Sequence, residues 1–493
     1  MEETLIVTEG PAVLPYSYAR RQGVLLRATP TGVECVHRAG VSLDAMLEVQ
    51  RIAPGAAFVA ASDSDFDTAL SQVYSGNAAA ADLDLGDMDL AALADSAAAV
   101  DDLLDTRDDA PVIRLINALL LEAVKEGASD VHVETQEKRL VIRFRVDGVL
   151  RDMIEPPRAL APLLVSRIKV MAKLDIAEKR IPQDGRVTLR IGGHDVDARV
   201  STIPTQHGER VVMRLLEKGS MRLDLGALGM SERDQGVFNR LLERPHGMVL
   251  VTGPTGSGKT TTLYAALNRL NDRKRNIMTV EDPIEYELAG IGQTQVNPRT
   301  DLTFARGLRA ILRQDPDVIM VGEIRDQETA EVAVRSSMTG HFVLSTLHTN
   351  SAVGSVTRLI DMGVERYLLA PMVVGLVAQR LVRKLCQACK VAGTASEGDS
   401  LLLNGAIKPG ETLYRPKGCA KCNGEGYRGR EGLYEVVAVD DAFQKSIHDG
   451  ASEAELEAAA RKTSPSLMDD GIAKVRAGLT TVEEVARVVR DEA

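Results

Sequence analysis

The stretch Gly253-Pro254-Thr255-Gly256-Ser257-Gly258-Lys259-Thr260 limits what this chain can be more than any other. It reads glycine, four residues, then Gly-Lys-Thr. Before it lies Met248–Thr252, an apolar run long enough for one buried strand; after it, Thr261–Leu267 reads as the start of a helix. Strand, glycine loop and helix form the context in which backbone N–H groups close around phosphate oxygens at a positive helix end. In that context Lys259 reaches the β and γ phosphates and the Thr260 hydroxyl ligates Mg²⁺. Gly253, Pro254, Thr255, Gly256, Ser257, Gly258 and Thr261 complete the cradle. A glycine-rich turn that binds nothing is the alternative, and both flanks weigh against it. From about Gly226, with an opening helix near Ser231–Leu242, strand and helix alternate to about Lys384, which predicts a doubly wound α/β core on a parallel sheet.

The 493 residues suggest about three or four domains. The longest apolar run, around Leu368–Ala378, is too short for a bilayer and contains Pro371 and Gly375. Met1-Glu2-Glu3 does not resemble a secretory leader, so a soluble cytoplasmic protein is expected. Net charge is −11, and between Asp82 and Asp109 ten aspartates stand against one arginine, Arg107. The remainder is nearly neutral, which argues against a dedicated nucleic-acid binder. Of five cysteines, four form two Cys-x-x-Cys pairs, the pattern of a metal site in a reducing compartment.

Residues 1–75 mix short apolar runs with turns and read as a small α/β docking domain, with Cys35 as a packed apolar residue. Residues 76–109 read as a flexible, self-repelling acidic Ala/Asp linker. Residues 110–225 form an α/β module. A helix over about Val112–Val124 stops at Gly127, strands alternate at 129–134 and 140–146, a helix follows near Leu160–Leu174, and three more strands lie at 187–191, 195–201 and 210–216. Arg199 and Arg214 fall on these strands and, taken alone, read as surface arginines.

Within the core, Asn276–Val280 is strand-like and ends in Glu281-Asp282-Pro283-Ile284-Glu285, which places Glu281 and Asp282 at a sheet edge to hold Mg²⁺ or orient water. A polar turn is the plain alternative. Asp317–Glu323 resembles a metal-binding strand of nucleotide hydrolases, but Gly322 stands where aspartate is usual. Glu323 remains suited to polarise attacking water and is the leading catalytic candidate, with Arg325 nearby. His341 and His348 bracket the next strand. His341 reads as structural, and His348, at the C-terminal strand end, reads as a γ-phosphate contact. Cys386-x-x-Cys389, 29 residues, then Cys419-x-x-Cys422 present four thiolates for a closed structural Zn²⁺ site. Further on, Ser452-x-x-Glu455 and Thr481-x-x-Glu484 look like capping boxes.

Arg180–Arg186, Gly253–Thr260, Glu281–Glu285, the Gly322-Glu323 strand end, Thr339–Asn350 and the four cysteines together resemble the secretion ATPases, the motors of type II secretion and type IV pilus assembly, over about residues 110–493. This resemblance brings its own expectations. The core would be a RecA-like P-loop NTPase (226–385 and 431–493), preceded by a PAS-like module and interrupted by a zinc insert at 386–430. Glu281–Glu285 would be an aspartate box and His341–His348 a histidine box; Gly-Glu is ordinary in the family, and Arg199 and Arg214 would approach the phosphates. The activity would be ATP hydrolysis with Mg²⁺ and Zn²⁺, driving pseudopilus assembly and protein export. The partners would be those of a homo-hexamer at the inner membrane, its N-terminal domain on the cytoplasmic domain of platform protein L, with platform protein F and acidic phospholipids as further contacts and no nucleic acid. A pilus-extension ATPase shares nearly every core motif and stays open, as does a scaffold that ATP merely switches. A nucleic-acid motor is disfavoured by the absence of Trp and the few aromatics.

Overall fold

Apolar strands separated by amphipathic helices can bury both faces of a sheet only by stacking helices on each side, and the computed structural model of the chain does this. It describes residues 22–29, 32–62, 110–191, 194–217 and 224–489, with positions 14, 19, 65, 66, 69, 90 and 94. Contacts divide it into two compact units, Met1–Leu121 and Glu122–Ala493.

In the first unit, β1 (Val24–Thr29) and β2 (Gly32–Arg38) pair antiparallel. After helix α1 (Leu43–Ile52), capped by Ser42, β3 (Ala57–Ala61) joins β2 in parallel. Alternation sends Val24, Leu26 and Cys35 to one face with Val49, and Leu25 and Val36 to the other with Phe66. Cys35 is fully buried, and burial pushes its thiol up to about 11, so it packs as the small apolar residue expected. The acidic stretch 76–109 lies outside the described residues apart from Leu90 and Ala94.

Helix α2 (Ala110–Lys125) follows, with Val112, Leu115, Ile116, Leu119 and Leu120 buried at helical spacing. Next come β4 (Ala128–Thr135), β5 (Leu140–Val146), β6 (Val149–Ile154), helix α3 (Ala161–Met171), β7 (Gln183–Ile191), β8 (His194–Thr205) and β9 (Gly208–Glu217). They form a six-stranded sheet in the order β6-β5-β4-β9-β8-β7. Val131, Val133, Ile142, Phe144, Val211 and Met213 bury one face; Asp130, His132, Glu134, Arg143, Arg145, Arg210 and Arg214 share the other. Strand β6 was not expected: its residues Val-Leu-Arg-Asp-Met-Ile are half-exposed at an edge and lack clean alternation.

The core runs through α4 (Glu232–Leu242), β10 (Gly247–Thr252), α5 (Lys259–Leu270), β11 (Ile277–Glu281), β12 (Gly292–Gln295), α6 (Phe304–Ile311), β13 (Val318–Val321), α7 (Gln327–Met338), β14 (Phe342–Leu347), α8 (Gly354–Asp361) and α9 (Arg366–Leu369) to β15 (Val373–Leu385). A small hairpin, β16 (Val391–Thr394) and β17 (Thr412–Arg415), flanks α10 (Glu397–Leu402). Then β18 (Tyr427–Ala438) leads to α11 (Asp441–His448), α12 (Glu453–Ala460), α13 (Leu467–Arg476) and α14 (Val482–Val489). The main sheet has seven strands in the order β12-β11-β13-β14-β10-β15-β18. Met248 and Leu250 feed one core and Val249 and Val251 the other, so β10 is buried on both faces. The sheet is parallel as expected except at β18, which returns antiparallel to β15 after the cysteine region. The region 386–426 is thus a loop between two hydrogen-bonded strands, where closure is inexpensive. Of the two expected capping boxes, Ser452/Glu455 is complete. At Thr481 the hydroxyl accepts from Glu484 N, but the Glu484 carboxylate turns to Arg383 and Arg487 instead.

Candidate functional site

In a parallel sheet, strand C-terminal ends lie along one edge and face one crevice. Here that edge carries, in sheet order, Asp282 after β11, Gly322-Glu323 after β13, His348 after β14 and the glycine loop after β10. The Thr252 hydroxyl ties two of these ends together: it meets Thr349 Oγ1 at 2.6 Å and accepts from Thr349 N at 2.9 Å.

Gly258 caps α5 at φ 88°, a left-handed conformation that points the following N–H groups outward. Ser257 Oγ is buried without a hydrogen-bond partner in the structure, an acceptor and donor suited to a phosphate oxygen. Thr260 is exposed at the helix start and Thr261 half-exposed. Lys259 is buried, with Nζ donating to Gly253 O at 2.7 Å and Pro254 O at 3.0 Å. Burial pushes its ammonium down to about 8; Glu323 pulls it up, and Arg380 adds to the depression.

Glu323 is largely shielded, its carboxylate 2.5 Å from Arg325 Nη2 and 3.4 Å from His348 Nε2. Burial, followed by the field of Lys259, keeps the half-exposed His348 imidazole below its ordinary value and hence neutral at physiological pH. Arg325 is raised by its hydrogen bond to Glu323 and also feels Asp282, which is exposed beside it. Gly322 has a steric reason: a Cβ there would lie 3.3 Å from Val280 O and 3.4 Å from Glu281 Cα. His341 sits at the opposite end of β14, its Nδ1 2.9 Å from Ser336 O, a structural role.

Glu281 departs from expectation. It is 3 % exposed, and its carboxylate accepts from the Tyr264 hydroxyl, from Thr279 Oγ1 at 2.5 Å and from Gln293 Nε2 at 3.1 Å. Thr279 and Glu281 alternate onto the α5 side of β11, so this carboxylate anchors the loop helix rather than facing the crevice. Tyr264 and Gln293 gave no signal in the sequence, because each reads as an ordinary helix or turn residue.

The two strand arginines are both engaged within the chain. Arg199 Nη2 donates to Ile284 O at 3.0 Å and pairs with Glu285 at 2.9 Å, so it grips the segment after Glu281. Arg214 Nε pairs with Asp130 at 2.9 Å. They are register neighbours on β8 and β9, with Arg186 next in the row on β7. Arg186 lines a cavity of about 630 Å³ together with Asp282, Pro283, Gln295 and Arg299.

Cys386, Cys389, Cys419 and Cys422 bring their sulfurs within 4.8 Å of one another. Three of the separations are 3.7, 3.7 and 3.9 Å, too long for disulfides. A tetrahedron of thiolates at ordinary zinc distances has edges of about 3.8 Å, so the donor set fits a structural zinc. Burial raises the Cys422 thiol, but N–H groups of Cys419 and Gly426, each 3.2 Å from its sulfur, outweigh this and bring it down to about 7. No helix among the described residues is long and apolar enough to cross a membrane.

The family profile described as Type II/IV secretion system protein matches residues 105–487, and that of the first N-terminal domain of GSPII protein E matches 13–74. Type II secretion system protein E of Pseudomonas aeruginosa is 58 % identical over 98 % of this chain and 97 % of its own. The Type II secretion system ATPase E of Vibrio cholerae is 55 % identical over 97 % of each. Among solved structures, the Legionella pneumophila ATPase DotB shares the fold at a TM-score of 0.57 and 21 % identity, covering 77 % of this chain and 96 % of its own. With a profile across most of its length and relatives more than half identical along nearly all of it, this chain belongs to the type II/IV secretion system proteins and is an ATP-hydrolysing enzyme of type II secretion.

Proposed function

We propose that the chain is the ATPase motor that drives pseudopilus assembly in a type II secretion system, with the crevice at the main sheet edge as its catalytic site. One observation carries the site assignment: Lys259, Glu323 and His348 arrive on neighbouring strand ends within electrostatic reach of one another. The loop N–H groups, Ser257 and Lys259 hold the phosphates. Glu323, oriented by Arg325 and His348, is placed to order and polarise the attacking water. Neutral His348 is available as a hydrogen-bond partner to the γ-phosphate. Mg²⁺ bound at the Thr260 hydroxyl would supply charge neutralisation on the phosphates. Asp282, exposed beside Arg325, is the carboxylate of its segment suited to the metal's water shell.

The four-cysteine cluster is read as a closed Zn²⁺ site that folds its loop. Assembly as a hexamer, docking of the N-terminal unit onto an inner-membrane platform protein L, and residence on the cytoplasmic face of that membrane are proposed from the family and the match of the N-terminal domain. In that assembly Arg199 and Arg214 would leave Glu285 and Asp130 to offset charge at the phosphates.

Purified chain should hydrolyse ATP; Lys259→Ala should abolish turnover, and Glu323→Gln should bind nucleotide yet release no phosphate. A turning-over Glu323→Gln enzyme would remove Glu323 from its role, and a fully active Lys259→Ala would remove the site.

A further inference from the structure

Gln379 and Arg380 are consecutive residues of β15, the strand beside β10, and neither belongs to a motif of the nucleotide site. Both are buried, at 2 % and 5 % exposure. Strand alternation sends their side chains to opposite faces. On one face, Gln379 Oε1 lies 2.7 Å from Thr262 Oγ1, in the first turn of α5, and Nε2 lies 3.3 Å from the Tyr434 hydroxyl. That hydroxyl is 3.2 Å from Leu228 O. On the other face, Arg380 Nη2 donates to Asn350 O at 2.8 Å, in the loop after His348.

The donor roles fix one another. Leu228 O only accepts, so the tyrosine donates to it and accepts from the Gln379 amide N–H. The amide oxygen is then left for Thr262, whose hydroxyl donates. The glycine loop rests on this pair. A Cβ at Gly253 would lie 2.4 Å from Gln379 O and 3.1 Å from Arg380 Nη1, and one at Gly258 would lie 2.8 Å from Gln379 Nε2. Gly258 offers α5 no side-chain cap, so the Thr262–Gln379 bond is a side-chain tie on the helix's first turn.

We infer that Gln379 is a positioning residue for nucleotide binding: through Thr262 it fixes the first turn of α5, and with it the N–H groups and Lys259 that meet the phosphates. The inference rests on the nucleotide-site reading above. Its physical basis is that a phosphate cradle must be held to within about 0.5 Å to be effective. The polarised chain Leu228–Tyr434–Gln379–Thr262 holds one arrangement and no other.

The test uses full-length chain with ADP and Mg²⁺, reading Kd, the ADP-induced rise in melting temperature, and ATP turnover. Thr262→Val keeps the shape and removes the hydroxyl; Gln379→Leu removes the amide. Each should weaken ADP binding about threefold to tenfold, raise KM for ATP by a similar factor and change kcat little. The double variant should be no weaker than the worse single, and Thr262→Ser should restore wild-type affinity. A folded Thr262→Val with wild-type Kd overturns the inference, as does a double variant whose losses multiply, or a lower melting temperature with an unchanged ADP-induced rise. Should Gln379→Leu not fold, the Thr262 pair decides alone. If Lys259→Ala binds ADP as tightly as wild type, the nucleotide-site reading itself fails, a separate result.

Discussion

Lys259 should make nucleotide affinity depend on pH in a window where few other groups titrate. Its ammonium is buried among loop carbonyls, and burial depresses it from 10.5 to about 8. The sign follows from linkage. A lysine depressed in the folded protein is costly while charged, so below about pH 8 the folded chain carries about 3 kcal/mol of unfavourable energy. That cost is relieved as pH rises from about 8 toward the unfolded value of 10.5. Phosphate oxygens reverse the situation by stabilising the charged form, so binding is strongest where the lysine is protonated. Affinity should be flat below about pH 7.5, fall through about 8, and be about tenfold weaker at about pH 9, with one proton taken up per ADP bound there. His348, held below its ordinary value, has finished titrating before this window opens. Lys259→Arg keeps its charge throughout and should bind with little pH dependence, whatever its absolute affinity. The assay is equilibrium titration of a fluorescent ADP analogue at fixed ionic strength, with calorimetry in two buffers of different ionisation enthalpy to count protons. A wild-type Kd constant across the window, or an arginine variant with the same slope, would refute the reasoning.

Tyr264→Phe tests the role assigned to Glu281. The ring, stacked edge-on against Tyr286 at 4.6 Å, is retained, so the change isolates the hydroxyl bonded to the buried carboxylate. Loss of a charge-assisted bond should destabilise by about 1.5–3 kcal/mol, read as a lower urea midpoint with an unchanged slope; a shift below about 0.5 kcal/mol would mean that Glu281 does not depend on it. Stripping the four thiols of metal with a chelator, then restoring Mg²⁺, should raise amide exchange across 386–426 while β10 and β14 stay protected. Unchanged exchange in that loop would show that metal does not hold it.

The two kinds of information in the chain explain which parts of this site were legible. The glycine loop, the carboxylate at 323 and the paired cysteines act through local spacing, and local spacing survives in a sequence. The buried strands β10 and β14 were legible for the same reason, as short uninterrupted apolar runs bounded by turns. Glu281 and Asp282, by contrast, are adjacent carboxylates that the chain makes indistinguishable. Only alternation on β11, read against a tyrosine 17 residues earlier and a glutamine 12 residues later, sends one inward and leaves the other exposed. Arg199 is a further case. Its partner Glu285 is 86 positions away, and no periodicity encodes such a pair. Gln379 belongs to this second kind. It is a polar residue in an otherwise apolar strand, a buried amide that must be matched at both ends or be costly. A polar side chain at the centre of a buried strand is therefore a positional signal: the sequence marks that something must meet it there, and the fold supplies Thr262 and Tyr434.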